Sequence, residues 1–104
     1  MSTERLTKIL AMLEQMPNDP FLRYGAALEY VSSGDDSQAE QYFQWILANH
    51  ADYLPMYYQL GKLLERKPNN EDAIRIYSLG IELAASQKDQ HTRNELQNAL
   101  DELY

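Results

Sequence analysis

The sequence predicts an all-α fold, a solenoid of antiparallel helix pairs with about six helices and a capping helix at each end. Three observations point that way. Apolar residues recur at intervals of three and four along nearly the whole chain, with no sustained two-residue alternation. Proline, glycine, asparagine and aspartate interrupt that pattern at short intervals. The pattern between the breaks then recurs after 34 residues: Tyr24 falls on Tyr58, Ala27 on Gly61, Tyr30 on Leu64, Ala39 on Ala73 and Phe43 on Tyr77.

Each helix has its own signals. Leu6, Ile9, Leu10 and Leu13 form one face of a first helix over about residues 3–16, stopped by Pro17, which lacks the N–H that a further turn needs. Asp19-Pro20 reads as an N-cap with proline at the first helical position. The helix it opens runs to about Ser33 and buries Ala27, Leu28 and Tyr30 or their neighbours, with Gly34 as a left-handed C-terminal cap. Ser37 and Glu40 have capping-box spacing, with Asp36 as a rival cap, for a third helix carrying Ala39, Tyr42, Phe43, Ile46 and Leu47 and ending near Asn49. Asp52 is the expected cap of a fourth helix with Tyr57, Leu60, Gly61 and Leu64, broken by Pro68. Asn69 or Asn70 caps a fifth, containing Ala73, Ile76, Tyr77, Gly80, Ile81 and Ala84. Thr92 and Glu95 repeat the capping-box spacing before Leu96, Ala99, Leu100 and Leu103. The short connections make consecutive helices antiparallel neighbours.

Composition narrows the classes of function. The 104 residues, 44% of them hydrophobic, suit one domain over residues 1–104, which at this size folds without disulfides or a structural metal. There is no cysteine, which removes thiolate metal sites and cysteine nucleophiles and fits a reducing, cytoplasmic setting. The net charge of −7, with no basic cluster, argues against nucleic acid and against anionic membrane surfaces as partners. The first five residues lack the basic start and apolar run of a secretory signal, and no apolar stretch is long enough to span a bilayer. The expectation is a soluble protein.

Tyr57, Leu60, Gly61 and Leu64, followed by Ala73 and Tyr77, stand in the order of aromatic, Leu-Gly, aromatic, Ala and Phe positions, and so resemble the tetratricopeptide repeat signature. Residues 20–53 resemble a first copy and residues 54–87 a second; the chain as a whole looks like small bacterial proteins of that family. The first copy departs from the signature at Arg23, where an aromatic is usual, and neither copy keeps the terminal proline, Ala51 and Ala85 standing there. Residues 1–17 fit the second helix of a truncated pair, with Ile9 and Met12 at its packing positions. Residues 89–104 fit a capping helix whose Asp101 and Glu102 face water. The small residues Ala27, Gly61, Ala39 and Ala73 let the helices of a pair approach closely, while Tyr30, Leu64, Phe43 and Tyr77 fill the space beside them.

The resemblance implies a protein that binds other proteins, holding a peptide segment of a partner in a concave groove lined by the first helix of each pair. In the family's frame that side carries Phe21, Tyr24, Gly25 and Leu28 in the first pair, and Pro55, Tyr58, Gln59, Lys62, Glu65 and Arg66 in the second. Tyr24, Leu28, Tyr58, Gln59 and Lys62 are the expected contact residues. Tyr24 and Tyr58 would be neighbours across adjacent repeats, as binding anchors or as helix packing alone. Lys62, Glu65 and Arg66 also fit a solvated, self-paired helix face. Some relatives clamp a partner's terminal carboxylate with Lys, Asn and Arg; the matching positions here hold Tyr24, Leu28 and Gln59, leaving only Lys62 and Arg93 for positive charge, which argues against such a clamp. The net charge favours a neutral or basic segment. Self-association through repeat ends or the Trp45 face, giving a homo-oligomer, is the alternative.

Little suggests catalysis. His50 and His91 fall in expected turns without a useful local partner, so neither a metal site nor a general base is expected, and no cofactor. Asp35-Asp36 and Glu71-Asp72 sit at helix starts, where negative charge is stabilising in itself. The four glycines form no phosphate loop. Met12, Met16 and Met56 fit gap-filling or an adaptable surface, and Trp45 fits core or a convex contact patch.

Overall fold

The computed structural model describes residues 2–104, with side chains from Glu4 onward; Met1, included in the expected first helix, lies outside the described residues. Six helices follow one another: α1 (Ser2–Gln15), α2 (Pro20–Ser32), α3 (Asp36–Asn49), α4 (Pro55–Leu64), α5 (Glu71–Ser86) and α6 (Gln90–Asp101). There is no strand among the described residues, and no helix is long and apolar enough to cross a membrane. The chain forms two compact units that meet in sequence between Tyr53 and Leu54.

In the first unit, α1 packs on α2 and α2 on α3. Asp19 is the N-cap of α2: its Oδ1 accepts from the N–H groups of Phe21 and Leu22, and Pro20 takes the first helical position. Leu13, Leu22 and Ala26 form a buried cluster against which Leu6, Ile9, Leu10 and Tyr42 pack. Ala27, Ala39, Phe43 and Ile46 are fully buried. Of the expected inward set on α2, Ala27 is buried together with the neighbouring Ala26 and Glu29, while Leu28 and Tyr30 are half-buried. Met12 was expected at a packing position but is 44% exposed; one residue before Leu13, it lies about 100° round the helix from the buried stripe. The one charged core residue among those described is Glu29, whose Oε2 accepts a hydrogen bond of 3.2 Å from Nη1 of Arg5 on α1.

The cap of α3 differs from expectation. Gly34 has φ 84°, and the N–H of Asp35 reaches back to the carbonyl of Tyr30 while that of Gly34 meets Val31. This Schellman turn leaves Asp35 in position to cap α3, accepting from the N–H of Gln38, in place of Asp36 or Ser37. The same construction joins α5 to α6. Lys88 has φ 59°, the N–H of Asp89 bonds to Ala84 and that of Lys88 to Ala85, and Asp89 caps α6 through the N–H and hydroxyl of Thr92. Thr92 is therefore the capped residue rather than the cap, and His91 lies in the first turn of α6, not in a loop.

The second unit holds α4 against α5 and α5 against α6. Its helix starts also differ. Leu54, not Asp52, precedes α4, and the first turn closes with an N–H of Tyr57 to the carbonyl of Leu54. Pro55 at the first helical position donates no N–H in any case. The helix ends at Leu64, ahead of Pro68, as Arg66 and Lys67 bond to the carbonyls three residues back. Asn70 precedes α5 without a side-chain bond, whereas Oδ1 of Asn69 accepts from Glu71 at 2.7 Å.

Close approach governs this unit. A methyl group on Gly61 would lie 2.2 Å from the Tyr77 ring, and one on Gly80 would lie 2.8 Å from Cβ of Tyr57 and 2.9 Å from Leu96. Gly61→Ala is expected to cost about 3 kcal/mol, and Ala73→Leu about 1 to 3 kcal/mol, in denaturant unfolding. The two left-handed positions give a paired expectation. A side chain on Gly34 meets nothing within 4 Å, so Gly34→Ala isolates the backbone term and destabilises by about 1 kcal/mol. Lys88→Gly relieves the corresponding strain and raises the unfolding midpoint by a similar or smaller free energy.

Candidate functional site

The first helix of each unit's pair presents a tyrosine resting on a buried aromatic of the second. Tyr24 on α2 lies with its ring centroid 6.3 Å from that of Phe43, at 57°. Tyr58 on α4 lies 6.4 Å from Tyr77, at 46°. The two contacts are 34 residues apart at both partners and nearly equal in geometry. Phe43 and Tyr77 are fully buried, while Tyr24 and Tyr58 are half-buried. Each surface tyrosine is thus held from beneath, with its outer part free of the core.

Within the first unit, Leu28 lies four residues after Tyr24, hence on the same face of α2, and is half-buried. Phe21, expected on that side, is 67% exposed. Tyr53, in the turn after α3, adds an edge-to-face contact with Tyr24 at 5.5 Å. In the second unit, Lys62 stands four residues after Tyr58 and half-buried Gln59 beside them. The Lys62 ammonium lies 5.5 Å from the Tyr58 ring centroid and 3.7 Å from Oε2 of Glu65. Its charge is already matched by the residue that caps the end of α4, which weakens it as half of a carboxylate clamp. Arg93 stands on α6, exposed.

Glu65 has a second role. It accepts a hydrogen bond from the Tyr77 hydroxyl, so one carboxylate ties the buried ring to the surface lysine. Burial, then the bond to Glu65, push the Tyr77 phenol far above its ordinary value. Burial likewise raises Tyr24, Tyr30 and Tyr53, the last with help from Tyr24 and Asp19.

Three features escaped the sequence reading. Arg23, which breaks the repeat pattern, lies over the Trp45 ring at 4.1 Å and donates two hydrogen bonds, from Nε and Nη2, to the Pro17 carbonyl. Trp45 is accordingly half-buried beneath a guanidinium, with His50 5.6 Å away. Tyr53 joined the aromatic cluster although it lies in a turn, where periodicity gives no signal. His91, expected in a turn, lies on α6 with Glu95 one turn on at 3.6 Å, a contact that its helical position makes possible.

Two units of the same small-against-aromatic design, built wholly from helices among the described residues, define a helical-repeat protein. Among solved structures the chain is similar to a tetratricopeptide repeat domain protein from Salinibacter ruber. In its crystal structure the match has TM-score 0.77 and 39% identity over 81% of this chain and 93% of that one; in a solution NMR structure it has TM-score 0.78 and 40% identity over 83% and 87%. No family model and no curated protein matches the chain. The chain belongs to the tetratricopeptide repeat family, the family its spacing resembles, whose fold is a non-catalytic repeat scaffold associated in general with protein partners.

The raised tyrosines set a pH dependence. A phenol held protonated in the fold gives stability that is complete below the unfolded value of 10.0 and is lost as pH rises above it. Stability should therefore fall above about pH 10, and Tyr77→Phe should flatten that fall by up to about 1.4 kcal/mol per pH unit. Urea unfolding at pH 8 and at higher pH checks it. Some slope remains in the variant because Tyr24, Tyr30 and Tyr53 titrate in the same direction.

Proposed function

We propose that the protein is a cytoplasmic interaction module that binds a segment of a partner protein through the exposed faces of α2 and α4. The contacts on α2 are Tyr24 and Leu28; those on α4 are Tyr58, Gln59 and Lys62. The observation that carries this reading is the repeated support of a half-buried tyrosine by a buried aromatic, Phe43 under Tyr24 and Tyr77 under Tyr58. A ring held this way loses little freedom on binding and offers a wide apolar face with a polar tip, the properties of a contact anchor. Gln59 supplies amide donors and an acceptor for the partner's backbone. With Lys62 paired to Glu65, the recognised segment is neutral or basic rather than a free carboxylate terminus.

Capture of binding proteins from source cells, with mass-spectrometric identification, tests this. Tyr24→Ala with Tyr58→Ala, in a chain that still melts cooperatively, is expected to lose the specific partner or weaken it at least about tenfold, since anchor truncations often exceed 2 kcal/mol. Unchanged capture by the folded double variant would remove α2 and α4 from the binding role.

A second reading, self-association, is favoured by one observation: Met12, Met16 and Phe21 are 44%, 50% and 67% exposed, with Met12 on α1 and Met16 directly after its end, its N–H bonded to the Met12 carbonyl. The arginine-covered Trp45 is the weaker contact for it. Light scattering across a concentration series separates a monomeric binder from a defined oligomer.

A further inference from the structure

We propose that Tyr24, Tyr53 and Asp19 form a receptor corner for one cationic side chain, arginine or lysine, of the bound segment. This rests on the reading of α2 as a contact surface and names the chemistry it selects. The charge balance of the first unit favours a cation there. Residues 1–53 contain eight carboxylates, Glu4, Glu14, Asp19, Glu29, Asp35, Asp36, Glu40 and Asp52, against three basic side chains, Arg5, Lys8 and Arg23. Arg5 is joined to Glu29, and Arg23 is held by the Pro17 carbonyl and Trp45.

Three other surface aromatics already hold a cation. Lys62 lies over Tyr58, and Arg23 lies over Trp45 and, at 5.7 Å, over Tyr42. Among the described residues no cation lies over Tyr24 or Tyr53. Their rings meet edge to face at 5.5 Å, both half-buried, so π surface remains beside a rigid contact. Asp19 supplies the charge. Its Oδ1 is occupied by the two N–H groups at the start of α2, leaving Oδ2 for an external donor. Its negative charge is felt at Tyr53, where it adds to burial and to Tyr24 in raising the phenol. A cation placed there meets π faces and a carboxylate together, the combination that the Tyr58, Lys62 and Glu65 contacts satisfy internally in the second unit.

The test is an array of random dodecapeptides probed with the full chain, followed by affinities of retained peptides by fluorescence polarisation. Retained peptides are expected to share an arginine or lysine at one position, and its replacement by glutamine should weaken binding about threefold to tenfold. Asp19→Asn keeps the helix cap, since asparagine caps as well as aspartate, but removes the charge, and is expected to abolish that preference while the melting temperature stays close to wild type. Tyr53→Leu should reduce the preference by a separate route. Glu82→Gln, the same charge change on an exposed residue of α5, should leave it intact. Retained peptides indifferent to basic residues, or a preference that persists in folded Asp19→Asn, would overturn the corner and leave the α2 and α4 surfaces standing. If nothing is retained, the binding reading itself fails, and the corner with it.

Discussion

Two helices can pack only as closely as the side chains between them allow, and in this protein that separation is set by a small residue facing an aromatic ring. In the second unit the restriction is severe: Gly61 lies so close to Tyr77 that a methyl group could not be added without moving the ring. Glycine costs about 1 kcal/mol relative to alanine in a helix interior, so its presence in the middle of α4 is explained only by the ring it admits. In the first unit the corresponding positions hold Ala27, Ala39 and Phe43, all fully buried. Nearly equal aromatic geometry at Tyr24/Phe43 and Tyr58/Tyr77 follows from these contacts, since a buried ring with a fixed place fixes whatever rests on it.

The surface properties of α4 derive from the same interior contact. Tyr77 is large enough for its hydroxyl to reach Glu65, and Glu65 in turn holds Lys62 across the Tyr58 ring. Phenylalanine at the equivalent position of the first unit, Phe43, has no hydroxyl to offer. Among the described residues no corresponding chain of contacts fixes a cation over Tyr24; its neighbour is Tyr53, which in turn feels the Asp19 carboxylate of the α2 cap. One oxygen atom, present in one repeat and absent from the other, accompanies two chemically different surfaces on a common frame.

The helices and the repeat were legible because packing repeats in sequence with the period of the helix. Ala27, Ala39, Gly61, Ala73, Phe43 and Tyr77 all occupy the interior expected of them. The caps were less legible, for a physical reason. A capping box is a local pattern, but the N-caps of α3 and α6 are set by how the preceding helix ends. Once Gly34 or Lys88 turns left-handed, the following aspartate has both its N–H bonded back to the old helix and its carboxylate beside the new one. At Lys88 the signal was hidden, since lysine rarely adopts that conformation and does not advertise a turn. Tyr53 and the Arg23–Trp45 stack were illegible because neither follows a periodic interval. The former lies in a turn, and the latter joins residues on different helices.

Arg23 is better understood as half of an exchange between the repeats than as a lapse from the pattern. Its counterpart 34 residues on is Tyr57, and the counterpart of Ile46 is Gly80. In the second unit the large residue is on α4 and the small one on α5: Tyr57 is buried against Gly80, which leaves room for Leu96 of α6 to dock as well. In the first unit the sizes are reversed. Arg23 turns outward to Trp45 and the Pro17 carbonyl, and Ile46 is fully buried in the second helix. Cores tolerate such redistribution when total volume and apolar pattern are kept. An aromatic at position 23 would have to compete with Ile46 for interior space, whereas a planar guanidinium stacks on the surface indole and adds hydrogen bonds that tie the α1–α2 turn to the pair. The departure from the repeat signature therefore stabilises the same close-packed pair by a different distribution of volume, which is why the pair persists where a strict reading of the signature would have broken it.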